Sequence, residues 1–286
     1  MNGRGKGAEG RGRRKGDSRK TAICPKARKR FGQHFLERAW VDKLIAALGA
    51  SFDDTFLEIG PGRGALTREL APRVARIVAV EIDRDLARTL PAQVPANVRV
   101  VTDDFLDVDL DELLRDEPRP LRVVGNLPYN ISSPILFRLL HAADHGRRFR
   151  DATLMLQKEV ADRLVASAGT AGYGALAIQV GLLADVHRLL TLPPGAFRPS
   201  PNVTSAVIRL RFRAPAADVG DQAVFERVVR GVFRQRRKTL LNAFRPVADS
   251  FGRSAPQVIE LAGLEPSRRP ETLTVHEMAR LSRAVL

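Results

Sequence analysis

The chain has 286 residues, a hydrophobic content of 44% and a single cysteine. This composition is typical of a globular protein with one large domain and room for a small one, and it excludes an internal disulfide framework. Cys24 has no Cys or His close to it in the sequence, so we predict no metal site. No apolar run approaches the length of a membrane span and no apolar signal core follows the N-terminus, which predicts a cytoplasmic protein without a membrane anchor.

The formal net charge of +15 is concentrated at the N-terminus. Residues 1–30 contain twelve Lys or Arg residues against Glu9 and Asp17, a surplus of +10. Their high glycine content and missing helical period predict a disordered basic tail over residues 1–25. A second basic cluster, RQRRK, occupies residues 234–238. Each cluster alone is also typical of a solvated surface, but two of them favour a nucleic-acid partner, because Lys and Arg bind phosphates by releasing counterions.

Apolar, β-branched runs alternate along the chain with segments of helical spacing. This alternation predicts an α/β fold, a doubly wound, mostly parallel sheet of the Rossmann-like kind. The runs are continuously hydrophobic, which indicates strands covered on both faces. They lie at 55–60, 76–82, 98–105, 121–126 and 152–157.

Several segments surround this predicted sheet. A helical pattern at 37–50 precedes it, and two further strand-like runs, HRLLTLP and TSAVIRLRF, follow it. The stretch RAPAADVGD at 213–221 is typical of a linker, and every pattern beyond it is helical. We therefore predict a catalytic domain over residues 26–213 and a small helical domain over residues 214–286.

The first three strand-like runs end in residues that suit a nucleoside ligand. Gly60, Gly62 and Gly64 follow the first run and precede a helix, where glycine lets a ligand approach the backbone amides. No Lys-Ser/Thr pair follows, which excludes a nucleoside-triphosphate P-loop. Glu81 is placed to accept ribose hydroxyls, and Asp104 to accept an exocyclic adenine amine. Each feature alone is also typical of a turn or a helix cap, but together they predict an adenosine-containing cofactor.

The fourth run ends in NLPYNIS, residues 126–132. An adenine amine is a poor nucleophile because its lone pair is delocalised into the ring. The Asn126 side-chain oxygen and a backbone carbonyl such as that of Pro128 are placed to accept its hydrogens, and Tyr129 offers a face to a flipped-out base. An ordinary turn is the alternative. Among cofactors, this turn favours S-adenosylmethionine over NAD, for which nothing in the sequence indicates hydride chemistry.

The motifs in this order resemble those of the small-subunit ribosomal RNA adenine dimethyltransferases. The matching segments are RFGQHFL, LEIGPGRGALT, VEIDRDL, NLPYNISSPILF, LMLQKEVADRL, YGALAIQV and AFRPSPNVTSAVIRL. The resemblance extends from about Lys26 to the C-terminus, where RRKTLLNAF and RPETLTVHEMARL also match. It implies S-adenosylmethionine as cofactor and N6,N6-dimethylation of two adjacent adenosines near the 3′ end of small-subunit (16S) rRNA during subunit maturation.

The resemblance also implies roles for individual residues. His34, where relatives commonly have Asn, and Leu36 join the cofactor site, and Phe197 matches the position that sandwiches the target base opposite Tyr129. The helical domain docks rRNA, and we expect the protein to act as a monomer on the small ribosomal subunit. The implied cofactor site is His34, Leu36, Gly60, Gly62, Glu81, Asp104 and Asn126; the expected phosphate contacts are Arg234, Arg236, Arg237 and Lys238.

Three alternatives stay open. The sister family that methylates large-subunit rRNA and confers macrolide resistance shares the glycine loop and the Asn-x-Pro-Tyr turn, although YGALAIQV and RRPETLTVHEMARL favour the small-subunit family. A nonenzymatic ribosome-assembly or transcription factor would need none of Gly60, Glu81, Asn126 and Tyr129, all of which are present. A nicotinamide oxidoreductase is the most distant.

Overall fold

The computed structural model describes residues 34–143 and 146–286; the predicted basic tail and Cys24 lie outside them. No helix among the described residues has both the length and the apolar composition needed to cross a bilayer. These residues form the strands β1 Phe35–Leu36, β2 Thr55–Ile59, β3 Arg76–Glu81, β4 Val98–Thr102, β5 Leu121–Asn126, β6 Phe149–Gln157, β7 Ala184–Leu192, β8 Phe197–Arg198 and β9 Ser205–Phe212. Their helices are α1 Arg38–Leu48, α2 Ala65–Leu70, α3 Arg84–Thr89, α4 Leu110–Leu113, α5 Ser132–Ala142, α6 Lys158–Leu164, α7 Ala175–Leu183, α8 Gln222–Phe233, α9 Leu240–Asp249, α10 Ala255–Leu261 and α11 Val275–Val285.

Seven strands form one sheet in the order β4-β3-β2-β5-β6-β9-β7. The first five in this order are parallel, and β9 pairs antiparallel with both β6 and β7. The parallel strands coincide with the five apolar runs of the sequence, so the predicted α/β fold is confirmed. Every residue of β2 is buried, as expected of a sheet covered on both faces.

A separate two-stranded ribbon joins the start of the described chain to its middle. In this ribbon β1 pairs antiparallel with β8, so that Phe35 lies opposite Arg198 and Leu36 lies opposite Phe197. The pairing attaches the segment ahead of α1 to the connection between β7 and β9.

The helix α7 belongs to two hydrophobic cores. Its sequence, ALAIQVGLL, is apolar on all sides, a pattern typical of a helix buried all round. Leu176 and Val180 join the core beneath the sheet, whereas Ile178 and Leu182 join the core formed by α8 to α11. The helical core thus extends to a helix that precedes the predicted boundary after residue 213, and the two parts of the chain share a structural element.

A buried guanidinium fixes α1 to the sheet. Arg122 on β5 donates through Nε to both carboxylate oxygens of Asp151 at 3.1 Å, and through Nη1 to Asp54 Oδ2 at 2.9 Å. It also donates to the last carbonyls of α1, at 2.8 Å to Leu48 O and 3.1 Å to Gly49 O. One side chain therefore satisfies two buried carboxylates and the carbonyl end of a helix.

Replacing Arg122 with Met should lower the free energy of unfolding by about 3–5 kcal/mol, because Asp54 and Asp151 lose their buried cationic partner and Gly49 O loses a donor. Arg150→Met is the matched control: Arg150 pairs with the same Asp54 at 2.9 Å, but its side chain is 52% exposed. We expect the control to cost less than about 1 kcal/mol. Urea denaturation of both variants measures the difference, and equal losses would contradict the role given to Arg122.

Candidate active site

A cavity opens at the carboxyl edge of the parallel strands, between the glycine loop and the β1 segment. Open α/β sheets bind their ligands at this edge. The cavity brings together eight of the residues predicted from sequence: His34, Leu36, Gly60, Gly62, Glu81, Asn126, Pro128 and Tyr129.

The glycine loop between β2 and α2 leaves room for a ligand against its backbone. Gly60 and Gly62 have φ angles of 66° and 59°, in the left-handed region that glycine adopts without strain. Apart from its two chain neighbours, no described residue has an atom within 4 Å of the position that a Cβ would take at Gly60. At Gly62 the Phe35 ring already lies 3.1 Å from that position. The open side of Gly60 therefore provides space for a cofactor against the loop backbone. The side chain of a larger residue at this position would fill that space.

Glu81, the last residue of β3, connects this loop to the neighbouring strand. Its Oε2 accepts from Gly62 N–H at 2.8 Å, and its Oε1 accepts from Asp83 N–H at 2.9 Å. Burial raises the pKa of Glu81, while these two N–H donors act in the opposite direction. Each carboxylate oxygen has lone-pair capacity left for a hydroxyl donor. The adjacent Ile82 also lines the cavity, 44% exposed, and offers an apolar surface that sequence analysis missed.

Asn126, the last residue of β5, is oriented by the β1 segment. Its Nδ2 donates to the backbone carbonyl of His34 at 2.8 Å. A carbonyl can only accept, so the amide group of Asn126 must be turned to leave Oδ1 as its remaining polar atom. The residue therefore offers the cavity an acceptor, as a substrate amine requires.

Tyr129 is held at both its hydroxyl and its ring. The hydroxyl lies 2.7 Å from Ser205 Oγ on β9, where Ser205 is fully buried. Burial is the largest cause that raises the pKa of Tyr129, so the phenol is neutral at physiological pH. Its ring stacks with the His34 imidazole at a centroid separation of 5.8 Å and an interplanar angle of 21°. The site thus combines a glycine cradle, an acid, an oriented amide and an aromatic face.

Comparison with known proteins shows which enzymes this chain resembles. Residues 24–280 match the family model described as ribosomal RNA adenine dimethylase. The chain is 43% identical over 260 residues to ribosomal RNA small subunit methyltransferase A of Syntrophotalea carbinolica, covering 90% of this chain and 96% of that protein. Its counterpart in Geobacter metallireducens is 43% identical over 267 residues, covering 91% and 96%. The chain belongs to the ribosomal RNA adenine dimethylase family.

Solved structures agree with the fold of this family. A dimethyladenosine transferase from Plasmodium falciparum superposes with a TM-score of 0.70 at 24% identity, over 87% of this chain and 96% of that one. The 23S rRNA methyltransferase ErmE gives 0.64 at 26% identity, over 88% and 99%. The resemblance drawn from the motifs is therefore confirmed, and the chain is an rRNA adenine dimethyltransferase. Methyltransferases of this kind use S-adenosylmethionine in general.

Two residues expected in a dimethylase site lie outside the cavity lining. Asp104 follows β4, half-buried, and its Oδ1 accepts from Leu106 N–H at 2.8 Å, which is the geometry of a turn cap. Phe197 is fully buried in the core that also contains Val41 and Leu44. Stacking a base on Phe197 would require this side chain to become exposed. Both roles stay predictions.

The basic cluster after α8 contains two kinds of residue. Arg234, Arg237 and Lys238 are exposed, and their side chains make no hydrogen bond or ion pair with any other described residue. Arg236 instead donates to Glu271 Oε2 and to Ala171 O, both at 2.6 Å. The predicted phosphate contact at Arg236 would therefore compete with these two hydrogen bonds inside the protein. The side chains of Arg234, Arg237 and Lys238 remain available to RNA.

A buried carboxyl group at Glu58 was missed by sequence analysis. Glu58 lies on β2, lines the cavity and is 2% exposed, and no donor among the described residues reaches its Oε2. Burial is the main cause that raises its pKa from 4.5 to about 7, and the nearby Glu81 carboxylate adds to the shift. The sequence signal for such a residue is an acid within the apolar run TFLEI. An ionised carboxyl group is costly inside a sheet covered on both faces, so an acid at this place indicates a functional role.

Glu58→Gln should change the pH dependence of stability. Between about pH 4.5 and 7 the unfolded chain loses the Glu58 proton while the folded protein keeps it, so wild-type stability falls as pH rises. Gln has no such proton, and the variant should gain up to about 3 kcal/mol over wild type between pH 5 and pH 8.

Urea denaturation of both proteins at pH 5 and pH 8 measures this change. Glu112→Gln, on an exposed carboxylate, controls for the altered net charge. A stability difference between E58Q and wild type that is independent of pH would contradict the raised pKa.

Proposed function

We propose that this protein transfers two methyl groups to the N6 amine of each of two adjacent adenosines near the 3′ end of small-subunit rRNA, with S-adenosylmethionine as donor, during subunit maturation. The observation that carries the proposal is the orientation of Asn126, whose Nδ2 is used by His34 O and whose Oδ1 is left for a substrate amine beside the Tyr129 ring. Binding RNA alone would need neither feature.

The described residues fit an adenosine-containing methyl donor. Gly60 leaves space against the loop backbone, Glu81 has acceptor capacity for ribose hydroxyls, and Ile82 exposes an apolar surface suited to an adenine ring. When bound, S-adenosylmethionine supplies an electrophilic methyl group on a positively charged sulfur. The Glu81 carboxylate makes the cavity favourable for positive charge, and Glu58 adds to this where it is ionised, because both carboxyl groups lie in the cavity lining.

The protein makes the target amine nucleophilic by accepting its hydrogens. Asn126 Oδ1 accepts one of them, and the Pro128 carbonyl is the second acceptor that we propose. This carbonyl already accepts from Ile131 N–H at 3.2 Å, which leaves it one lone pair. Hydrogen bonds to these two acceptors turn the N–H bonds out of the plane of the ring. The nitrogen lone pair is thereby withdrawn from conjugation with the ring and directed at the methyl group. The amine becomes acidic only once methylated, so water can take the proton and no general base is needed.

The comparisons favour the small subunit as the substrate. Relatives named for small-subunit rRNA share 42–43% identity with this chain, whereas the 23S rRNA methyltransferase ErmE shares 26%. We further propose that Arg234, Arg237 and Lys238 contact rRNA phosphates, and that the protein acts as a cytoplasmic monomer. A nonenzymatic assembly role is less favoured, because the cavity retains both its glycine cradle and an oriented Asn126.

A methylation assay tests the reaction and its substrate together. Purified protein is incubated with labelled S-adenosylmethionine and unmodified small or large ribosomal subunits, and the product adenosines are identified by mass spectrometry. We expect dimethyladenosine on small-subunit rRNA alone. Label on large-subunit rRNA would indicate the sister activity, and no label with cofactor still bound would indicate a binding role.

In the same assay Asn126→Ala should lower kcat by about 10²–10³-fold, because the variant loses an acceptor placed for the transition state. Cofactor binding, measured by calorimetry, should be weakened but detectable. Asn242→Ala, the same chemical change on α9, is the control. Unchanged turnover of the Asn126 variant would overturn the role of its amide.

Replacing Arg237 and Lys238 with Gln should weaken binding to small subunits and reduce its dependence on salt. Each lost phosphate contact lowers the slope of log K against log salt concentration by about 0.7–0.9, so the double variant should lose about 1–2. The control is a double change of equal charge at Arg115 and Arg119, which are exposed ahead of β5, at the opposite edge of the sheet from the cavity. An unchanged slope in the first variant would refute the phosphate contacts.

A further inference from the structure

Arg63 brings a permanent positive charge into the wall of the cavity. It follows Gly62 in the glycine loop, is half-buried and lines the cavity. Among the described residues of this lining, the carboxyl groups of Glu58 and Glu81 carry the opposite sign, and the charge of His34 depends on its protonation. The lining thus combines acids suited to a cationic group with a guanidinium suited to an anionic one.

The guanidinium of Arg63 is held in place by the Phe35 ring of β1. Its Cζ lies 4.1 Å from the ring centroid, a distance typical of a cation–π contact. Phe35 is itself fixed, because it pairs with Arg198 and lies 3.1 Å from the position that a Cβ would take at Gly62. Stacking engages the face of a guanidinium, whereas its N–H donors lie in its plane. The contact with Phe35 therefore orients Arg63 and uses none of these donors.

The glycine amides of the same loop are already engaged inside the protein. Gly60 N–H donates to a carbonyl of β3 at 2.9 Å, and Gly62 N–H donates to the carboxylate of Glu81 at 2.8 Å. Gly64 N–H donates to Pro61 O at 2.9 Å. An anionic ligand group at this loop finds these three amides in use, which favours a side-chain donor.

The order of the strands indicates which part of the methyl donor would reach Arg63. β2 lies between β3, which ends in Glu81, and β5, which ends in Asn126. S-adenosylmethionine carries its nucleoside, its reactive methyl group and its amino-acid arm on one sulfur. A donor whose ribose binds Glu81 and whose methyl group faces Asn126 would therefore have its sulfur over the end of β2. Its amino-acid arm would begin beside the loop that contains Arg63.

Building on the proposed function, we infer that Arg63 binds the carboxylate of the amino-acid arm of S-adenosylmethionine through the N–H groups of its guanidinium. This pairing offsets the repulsion that the acids Glu58 and Glu81 exert on the carboxylate. A planar, charge-assisted pair also fixes the direction of the arm relative to Asn126. Arg63 is thus a donor-binding residue that distinguishes a complete amino-acid arm from one without a carboxylate.

Decarboxylated S-adenosylmethionine tests the pairing directly, since it differs from the donor by the carboxylate alone. Arg63→Met removes the guanidinium, and Arg63→Lys keeps the charge but loses the planar fork of donors. Arg73→Met is the matched control, because Arg73 is exposed beyond the end of α2 and does not line the cavity. For each protein the Kd for both ligands is measured by calorimetry, folding by thermal denaturation, and methylation with unmodified small subunits.

We expect Arg63→Met to raise the Kd for S-adenosylmethionine by about 10- to 100-fold, the effect of losing a hydrogen bond between charged groups. Its Kd for the decarboxylated ligand should stay within about twofold of wild type or fall, because that ligand is more positive and has no anionic group. Arg63→Lys should raise the Kd for S-adenosylmethionine by about 2- to 10-fold. The Arg73 control should bind both ligands as wild type does.

Two results would overturn the inference. An unchanged Kd for S-adenosylmethionine in Arg63→Met would show that the guanidinium does not bind the carboxylate. Equal increases in Kd for the two ligands would show that Arg63 supports the loop and does not contact the arm. If the Met variant does not fold, Arg63→Lys decides between the same outcomes.

Failure of this inference and failure of the proposed function are distinguishable. Wild-type protein that binds S-adenosylmethionine but methylates no rRNA would contradict the proposed function, while the two Kd values still decide the role of Arg63. Methylation by wild type together with either overturning result would leave the proposed function standing. Wild-type protein without affinity for S-adenosylmethionine would overturn both.

Discussion

The buried carboxylate of Glu81 is the interaction on which the rest of the site depends. It accepts one N–H from the glycine loop and one from the turn after its own strand, and so fixes two strand ends relative to each other. The bond to Gly62 N–H holds the loop ahead of α2 at the sheet, in addition to the backbone bond from Gly60 N–H to Val80 O. The same carboxylate oxygens can also accept hydrogen bonds from ribose hydroxyls. The Glu81 carboxylate that fixes the glycine loop is therefore also suited to bind the ligand.

A second acid makes this arrangement costly in the free protein. Glu58 is almost completely buried in the same cavity, and the neighbouring Glu81 carboxylate contributes to raising its pKa to about 7. Two carboxyl groups that share a site resist simultaneous ionisation. A cationic ligand would offset the repulsion between the two carboxyl groups. Their proximity therefore lowers the stability of the ligand-free protein and raises its affinity for a positively charged ligand. Buried acids without a full set of partners are destabilising, and such exceptions are expected at functional sites, where they serve ligand binding.

The sequence predicted the parallel sheet and the residues at the strand ends, because continuous apolar runs and glycine turns are local signals. It did not predict which side chains meet across the chain. The contact of His34 with Tyr129 depends on the pairing of β1 with β8, and strands of two residues have no periodicity to detect. Phe197 illustrates the same limit: a motif fixes the identity of the residue, but packing decides whether its ring faces the core or the cavity.

The proposed phosphate contacts of the basic cluster would couple docking to chemistry. Arg236 joins the end of α8 to the segment before α7 and to Glu271, which holds the backbone that carries Arg237 and Lys238. The helix α7 in turn packs against both the sheet core and the helical core. Phosphates bound at the exposed cations would therefore be positioned relative to Asn126 through rigid packing. Positioning of this kind converts binding energy from a remote surface into orientation of the reacting amine.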